Sequence, residues 1–71
     1  MRQLIIRDRQ GHRTMDLDTQ EAIQELERLM NAGMLAVAVK GEQATHALEW
    51  TDPAIRDAEE VRLFWPLTGG G

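Results

Sequence analysis

Apolar and polar residues alternate at the start of the chain. Leu4 and Ile6 fall on one side of an extended segment, and Ile5, between Gln3 and Arg7, falls on the other. A period of two is the signature of a strand, so Gln3 to Asp8 is predicted as the first. Arg13 to Leu17 resumes the alternation, with Met15 and Leu17 against Thr14 and Asp16. Between them Arg9-Gln10-Gly11-His12 reads as a hairpin turn, Gly11 supplying the positive φ. The period then changes. Ala22, Ile23, Leu26, Leu29 and Met30 recur at three- and four-residue steps, while Gln20, Gln24, Glu25, Glu27 and Arg28 take the other side. That is an amphipathic helix of about three to four turns. Asp18 followed by Glu21 predicts a capping box at its start, and Gly33 a left-handed cap at its end.

Met34 to Val39 is a continuous apolar run of six, too short for a second full helix, and is predicted as a strand buried on both faces. A turn at Lys40-Gly41-Glu42 leads to a partner strand, Ala44 to Trp50, with Ala44, His46, Leu48 and Trp50 on one side. Asp52 then caps, Pro53 suits a first helical position, and Pro53 to Ala58 forms one short helical turn with Ile55 as its plug. Val61 to Trp65 is the last strand, and Pro66 ends its pairing. The order is β-β-α-β-β-(short turn)-β, in the α+β class. One helix must bury its stripe against one sheet face. A hairpin, a helix and strands closing over that helix describe the β-grasp (ubiquitin-like) arrangement, with the first and last strands parallel neighbours at the sheet centre. Residues 1–66 would form the domain and 67–71 a flexible, Gly-rich C-terminal tail.

Composition narrows the chemistry. The 71 residues include no cysteine, which removes disulfides, thiolate metal sites and a cysteine nucleophile. Twelve acids against eight bases give a formal charge of −4, which argues against a nucleic-acid or anionic-membrane partner and hints at a basic docking surface on a protein partner. No apolar run approaches the roughly 20 residues of a membrane helix. The charged N-terminus does not resemble a signal peptide, so a cytoplasmic protein is expected, a monomer by itself. His12 and His46 lack ligand-spaced companions, and Glu59-Glu60 reads as a solvated turn. No catalytic residue, metal site or resident cofactor is expected.

Three of the six glycines are the last three residues. Glycines at the end of a strand-exit tail serve no turn. Without Cβ they let a backbone pass a narrow channel and approach another reactive centre. From Pro66 the tail could extend about 20 Å. A carboxylate on such a tail suits activation to an acyl-adenylate, with sulfur or an amine then displacing AMP. A disordered end or an appended linker is the bland alternative.

The chain resembles the sulfur-carrier and ubiquitin-like β-grasp superfamily, and is most similar to the small subunit of molybdopterin synthase and the thiamine-type sulfur carriers. The resemblance is sharpest from Pro53 onward. The stretch Pro53-Ala54-Ile55-Arg56-Asp57-Ala58-Glu59-Glu60-Val61 is similar to the family's Pro-Leu turn and acidic approach to the final strand. Leu63-Phe64-Trp65-Pro66-Leu67-Thr68-Gly69-Gly70 resembles its ending of aromatics, prolines, spacer and Gly-Gly. Ala58 stands for the usual glycine, Trp65 for a frequent proline, and Gly71 is an additional glycine. The resemblance implies a carrier, not an enzyme, activated at Gly71 or Gly70, with Gly69, Thr68 and Leu67 as the tail. Phe64, Trp65 and Leu67 would be docking anchors; core burial of either aromatic alone is the open alternative, and alternation places the two on opposite faces, so one core cannot take both. The implied partners are an E1-like adenylyltransferase, which would bind Mg-ATP, and a sulfur-accepting synthase. Two other readings stay open: a ubiquitin-like modifier joined to a conjugation target through the same glycine, and an interaction or assembly module without such chemistry.

Overall fold

A computed structural model describes residues 2–8 and 11–66. The chain forms β1 (Gln3–Asp8), β2 (Gly11–Asp16), α1 (Gln20–Asn31), β3 (Leu35–Lys40), β4 (Gln43–Ala47), α2 (Pro53–Asp57) and β5 (Glu60–Phe64). This is an α+β chain with a mixed five-stranded sheet in the order β2-β1-β5-β3-β4. The expected parallel pairing of the first and last strands is present, Leu4 standing beside Val61 and Ile6 beside Leu63. The expected short turn before β5 is a five-residue helix. The Asp52 side chain accepts a hydrogen bond from the Ala54 backbone N–H at 2.9 Å, and Pro53 opens α2.

One sheet face is covered. Leu4, Ile6, Ala36, Ala38, Ala47, Val61 and Leu63 meet Ala22, Leu26 and Leu29 of α1, with Leu17, Met34, Ile55 and Ala58 closing the margins. Every one of these is buried, and among the described residues no polar or charged residue is buried with them. The inward positions of β3, Ala36 and Ala38, are both alanines and both are buried. The larger Leu35, Val37 and Val39 point the other way and are only half-buried, so the expectation of a strand buried on both faces is corrected.

Three local expectations are also corrected. The helix cap is Thr19, whose Oγ1 accepts from the Ala22 N–H at 3.2 Å. Asp18 instead pairs with Arg2 at 2.9 Å. Ile23, assigned to the apolar stripe, is 40% exposed. A helix of 12 residues presents its core face through Ala22, Leu26 and Leu29 at steps of four and three, and Ile23 sits one residue off that line. His12 lies inside β2 rather than in the turn, and β4 ends at Ala47, so Leu48 and Trp50 follow the strand.

Gly33 ends α1 as expected, at φ 111°. The Met34 N–H reaches the Leu29 carbonyl and the Gly33 N–H the Met30 carbonyl, both at 3.1 Å, the two bonds of a Schellman motif. Buried Leu29 and Met34 provide its hydrophobic contact. The β3–β4 hairpin turns on Gly41 and Glu42. Gly41 at φ 59° followed by a residue without positive φ fits a type II′ turn.

Candidate functional site

The face of the sheet away from α1 carries no covering element among the described residues. Alternation along each strand puts Gln3, Ile5 and Arg7 of β1 on it, with Arg62 and Phe64 of β5, Leu35, Val37 and Val39 of β3, and His46 of β4. The rows are set by register. Thr14, Ile5, Arg62, Val37 and His46 run across the middle. One step along, His12 pairs with Arg7 and Phe64 with Leu35, and this row borders the place where β5 ends.

The charge of this face differs from that of the whole chain. It carries Arg7 and Arg62 against Asp16 and Glu60, so the excess of acid lies on α1 and the connecting segments. The two signs are also separated. Asp16 and Glu60 lie in the row of Gln3, at the start of β5, while Arg7 lies in the row of Phe64. Glu60 holds Arg62 at 2.9 Å, which accounts for that carboxylate as an ion-pair partner rather than half of a dyad with Glu59. Arg7 donates from Nε to Nε2 of His12 at 2.6 Å. Near the exit of β5 the face is therefore cationic and apolar, where the net charge alone suggested an acidic docking surface.

Phe64 lies on this face at 36% exposure, and Trp65, just past the strand, is 45% exposed. Alternation predicted that both could not enter one core, and neither does. The Trp65 ring lies against the end of α1, its Cζ3 3.9 Å from where a Cβ on Gly33 would sit. Leu67, Thr68, Gly69, Gly70 and Gly71 lie outside the described residues. Among the described residues no cluster of three or more His, Asp or Glu side chains is arranged to hold a metal ion, and no helix is long and apolar enough to cross a membrane.

The Arg2 side chain plays a part that sequence patterning missed. Its Nε donates to the Ala58 carbonyl at 2.8 Å and its Nη2 to the Ile55 carbonyl at 2.6 Å, while Nη1 pairs with Asp18. A cation at the C-terminal end of α2 bonds the Ala58 carbonyl and adds a second donor to the Ile55 carbonyl, which also accepts from the Ala58 N–H, and it ties α2 to the first strand and to the start of α1. No periodicity could reveal contacts 53 and 56 residues apart. The open face had a signal, since the period of two already placed Ile5 and Arg7 together. Comparison with family models, curated proteins and solved structures gives no match for this chain.

Proposed function

We propose that this chain is a sulfur carrier of the β-grasp, ubiquitin-like kind, acting from its glycine run in the cytoplasm. The observation that carries the reading is the path of the last strand. β5 lies between its parallel neighbour β1 and antiparallel β3, and the chain leaves it at Phe64-Trp65-Pro66 toward Leu67-Thr68-Gly69-Gly70-Gly71. The exit borders the exposed face bearing Arg7, Phe64 and Leu35, so an enzyme grasping that face would receive the tail beside it. The similarity of residues 53–70 to the family's ending points the same way.

The reading requires Gly71, or Gly70 after trimming, to carry the terminal carboxylate. One carboxylate oxygen attacks the α-phosphate of ATP held by an E1-like adenylyltransferase, and pyrophosphate leaves. Hydrosulfide then attacks the acyl carbon, AMP leaves with the oxygen, and a thiocarboxylate remains for a sulfur-accepting synthase. The folded part supplies docking and the tail supplies the carbonyl. The glycines allow the close approach that any side chain would hinder.

The test is incubation with an E1-like adenylyltransferase, Mg-ATP and sulfide, followed by intact mass. A gain equal to sulfur replacing oxygen supports the carrier. A protein-sized adduct on a target lysine would assign the chain to the modifiers instead. Deletion of Gly69 to Gly71 should abolish either product and leave the melting temperature unchanged, because the core closes between Leu4 and Leu63. No product with the enzyme that adenylates carriers of this kind sinks the proposal.

A further inference from the structure

A cleft of about 160 Å³ opens between α1 and the connection from β4 to α2. Leu17, Leu26 and Ile55 form its floor and are buried, Ile23 and half-buried Trp50 form its walls, and Arg56 stands at its mouth. Small-molecule pockets typically enclose roughly 300–1,000 Å³. This one is close to the roughly 150 Å³ that accepts benzene in an engineered cavity. It has room for one apolar side chain.

The charges define which one. Arg2, Arg13, Arg28 and Arg62 each have a carboxylate partner, whereas Arg56 makes no ion pair among the described residues. An unpaired cation beside an apolar hole suits an apolar side chain next to a carboxylate. The chain displays that combination on the same connection. Leu48 is 79% exposed, more than any other large hydrophobic among the described residues, and the carboxylate of its neighbour Glu49 also makes no ion pair among them. A knob and a hole on one surface are self-complementary under a two-fold axis, each copy giving and receiving at once.

We propose that this chain self-associates as a two-fold dimer through this flank. Leu48 of each copy enters the cleft of the other, and Glu49 pairs with Arg56 across the interface. The contact closes at two copies. The cleft lies on the α1 flank toward Arg2, whereas Leu48 follows Ala47 at the end of the sheet that also bears Phe64, so the interface runs along this flank from one end of the sheet to the other. The proposal is independent of the tail chemistry and replaces the expectation of a monomer.

Sedimentation equilibrium from about 10 µM to about 1 mM tests it across the range of weak-to-moderate association. The weight-average mass should rise from 8.1 kDa toward twice that value. Leu48→Asp should hold it at one chain with an unchanged melting temperature, since that side chain is 79% exposed. Glu49→Arg and Arg56→Glu should each weaken association about tenfold, and the double variant should restore it. A single-chain mass throughout would overturn the proposal and leave the cleft to an acidic partner. Dimers that survive Leu48→Asp, a double variant that fails to recover, or masses climbing beyond two chains would each overturn it as well.

Discussion

Leu26 and Ile23 are three residues apart on α1 and chemically near-equivalent, yet one is 2% exposed and the other 40%. Leu26→Ala removes methyl groups from a packed core and should cost about 2–4 kcal/mol. Ile23→Ala should cost about 1 kcal/mol, less than Leu26→Ala, because its side chain is 40% exposed and outside the packed core. Chemical denaturation of the pair checks this, and equal losses would mean that the assigned face of α1 is wrong. Arg2 is the other residue whose role depends on position alone. Arg2→Ala removes the side-chain donor to the Ala58 carbonyl and one of the two donors to the Ile55 carbonyl, which keeps the Ala58 N–H, and it leaves Asp18 without its ion pair. The side chain is about one-third exposed and water can replace part of what is lost, so a destabilisation of about 1 kcal/mol is expected. Arg2→Lys should recover only part of it, because one ammonium cannot reproduce the planar fork that reaches three acceptors.

β3 shows what sequence patterning conveys at the level of an element and what it conceals. Its six-residue apolar run announced a strand, and a strand is present. Nothing in an unbroken run says which alternate set faces the helix. The larger residues suggested burial on both faces, but alanine points inward and leucine and valine outward, because the space under α1 is set by the helix as well as by the strand. The consequence is testable. Ala38→Leu adds three carbons at a position only 4% exposed in the packed core and should destabilise by about 1–3 kcal/mol. Val37→Thr, on the open side, should cost less than about 1 kcal/mol. Hairpins and the end of α1 were legible because Gly41 and Gly33 occupy positive-φ positions that their neighbours define. The start of α1 was misread by one residue, since Asp18 and Thr19 are both good caps and only the distant Arg2 decides that Asp18 is taken. Among candidate site residues, alternation separated Phe64 from its neighbours correctly. It could not show that Trp65 leaves the strand to lie against Gly33.

For the whole molecule, the net charge of −4 is an average that conceals a division. The acids gather on α1 and the connections, while the open sheet face balances Arg7 and Arg62 against Asp16 and Glu60, with the cationic end beside the exit of β5. If that face is where an adenylating enzyme docks, its partner surface beside Arg7 must be acidic and apolar, and the attraction is local to that end, since the chain as a whole carries −4. Such attraction is screened over about 8 Å at 0.15 M ionic strength. The KM for this chain in adenylation should therefore rise several-fold between about 50 mM and about 300 mM salt, with kcat little changed. Arg7→Glu should raise KM at low salt and flatten its salt dependence, and Lys40→Glu, at the opposite end of the sheet, should do neither. Both positions are exposed, so melting should stay within about 0.5 kcal/mol of the original for each variant. A KM indifferent to salt and to Arg7→Glu would place docking elsewhere on the molecule, and the acid-rich helix side would then be the surface to probe with basic partners.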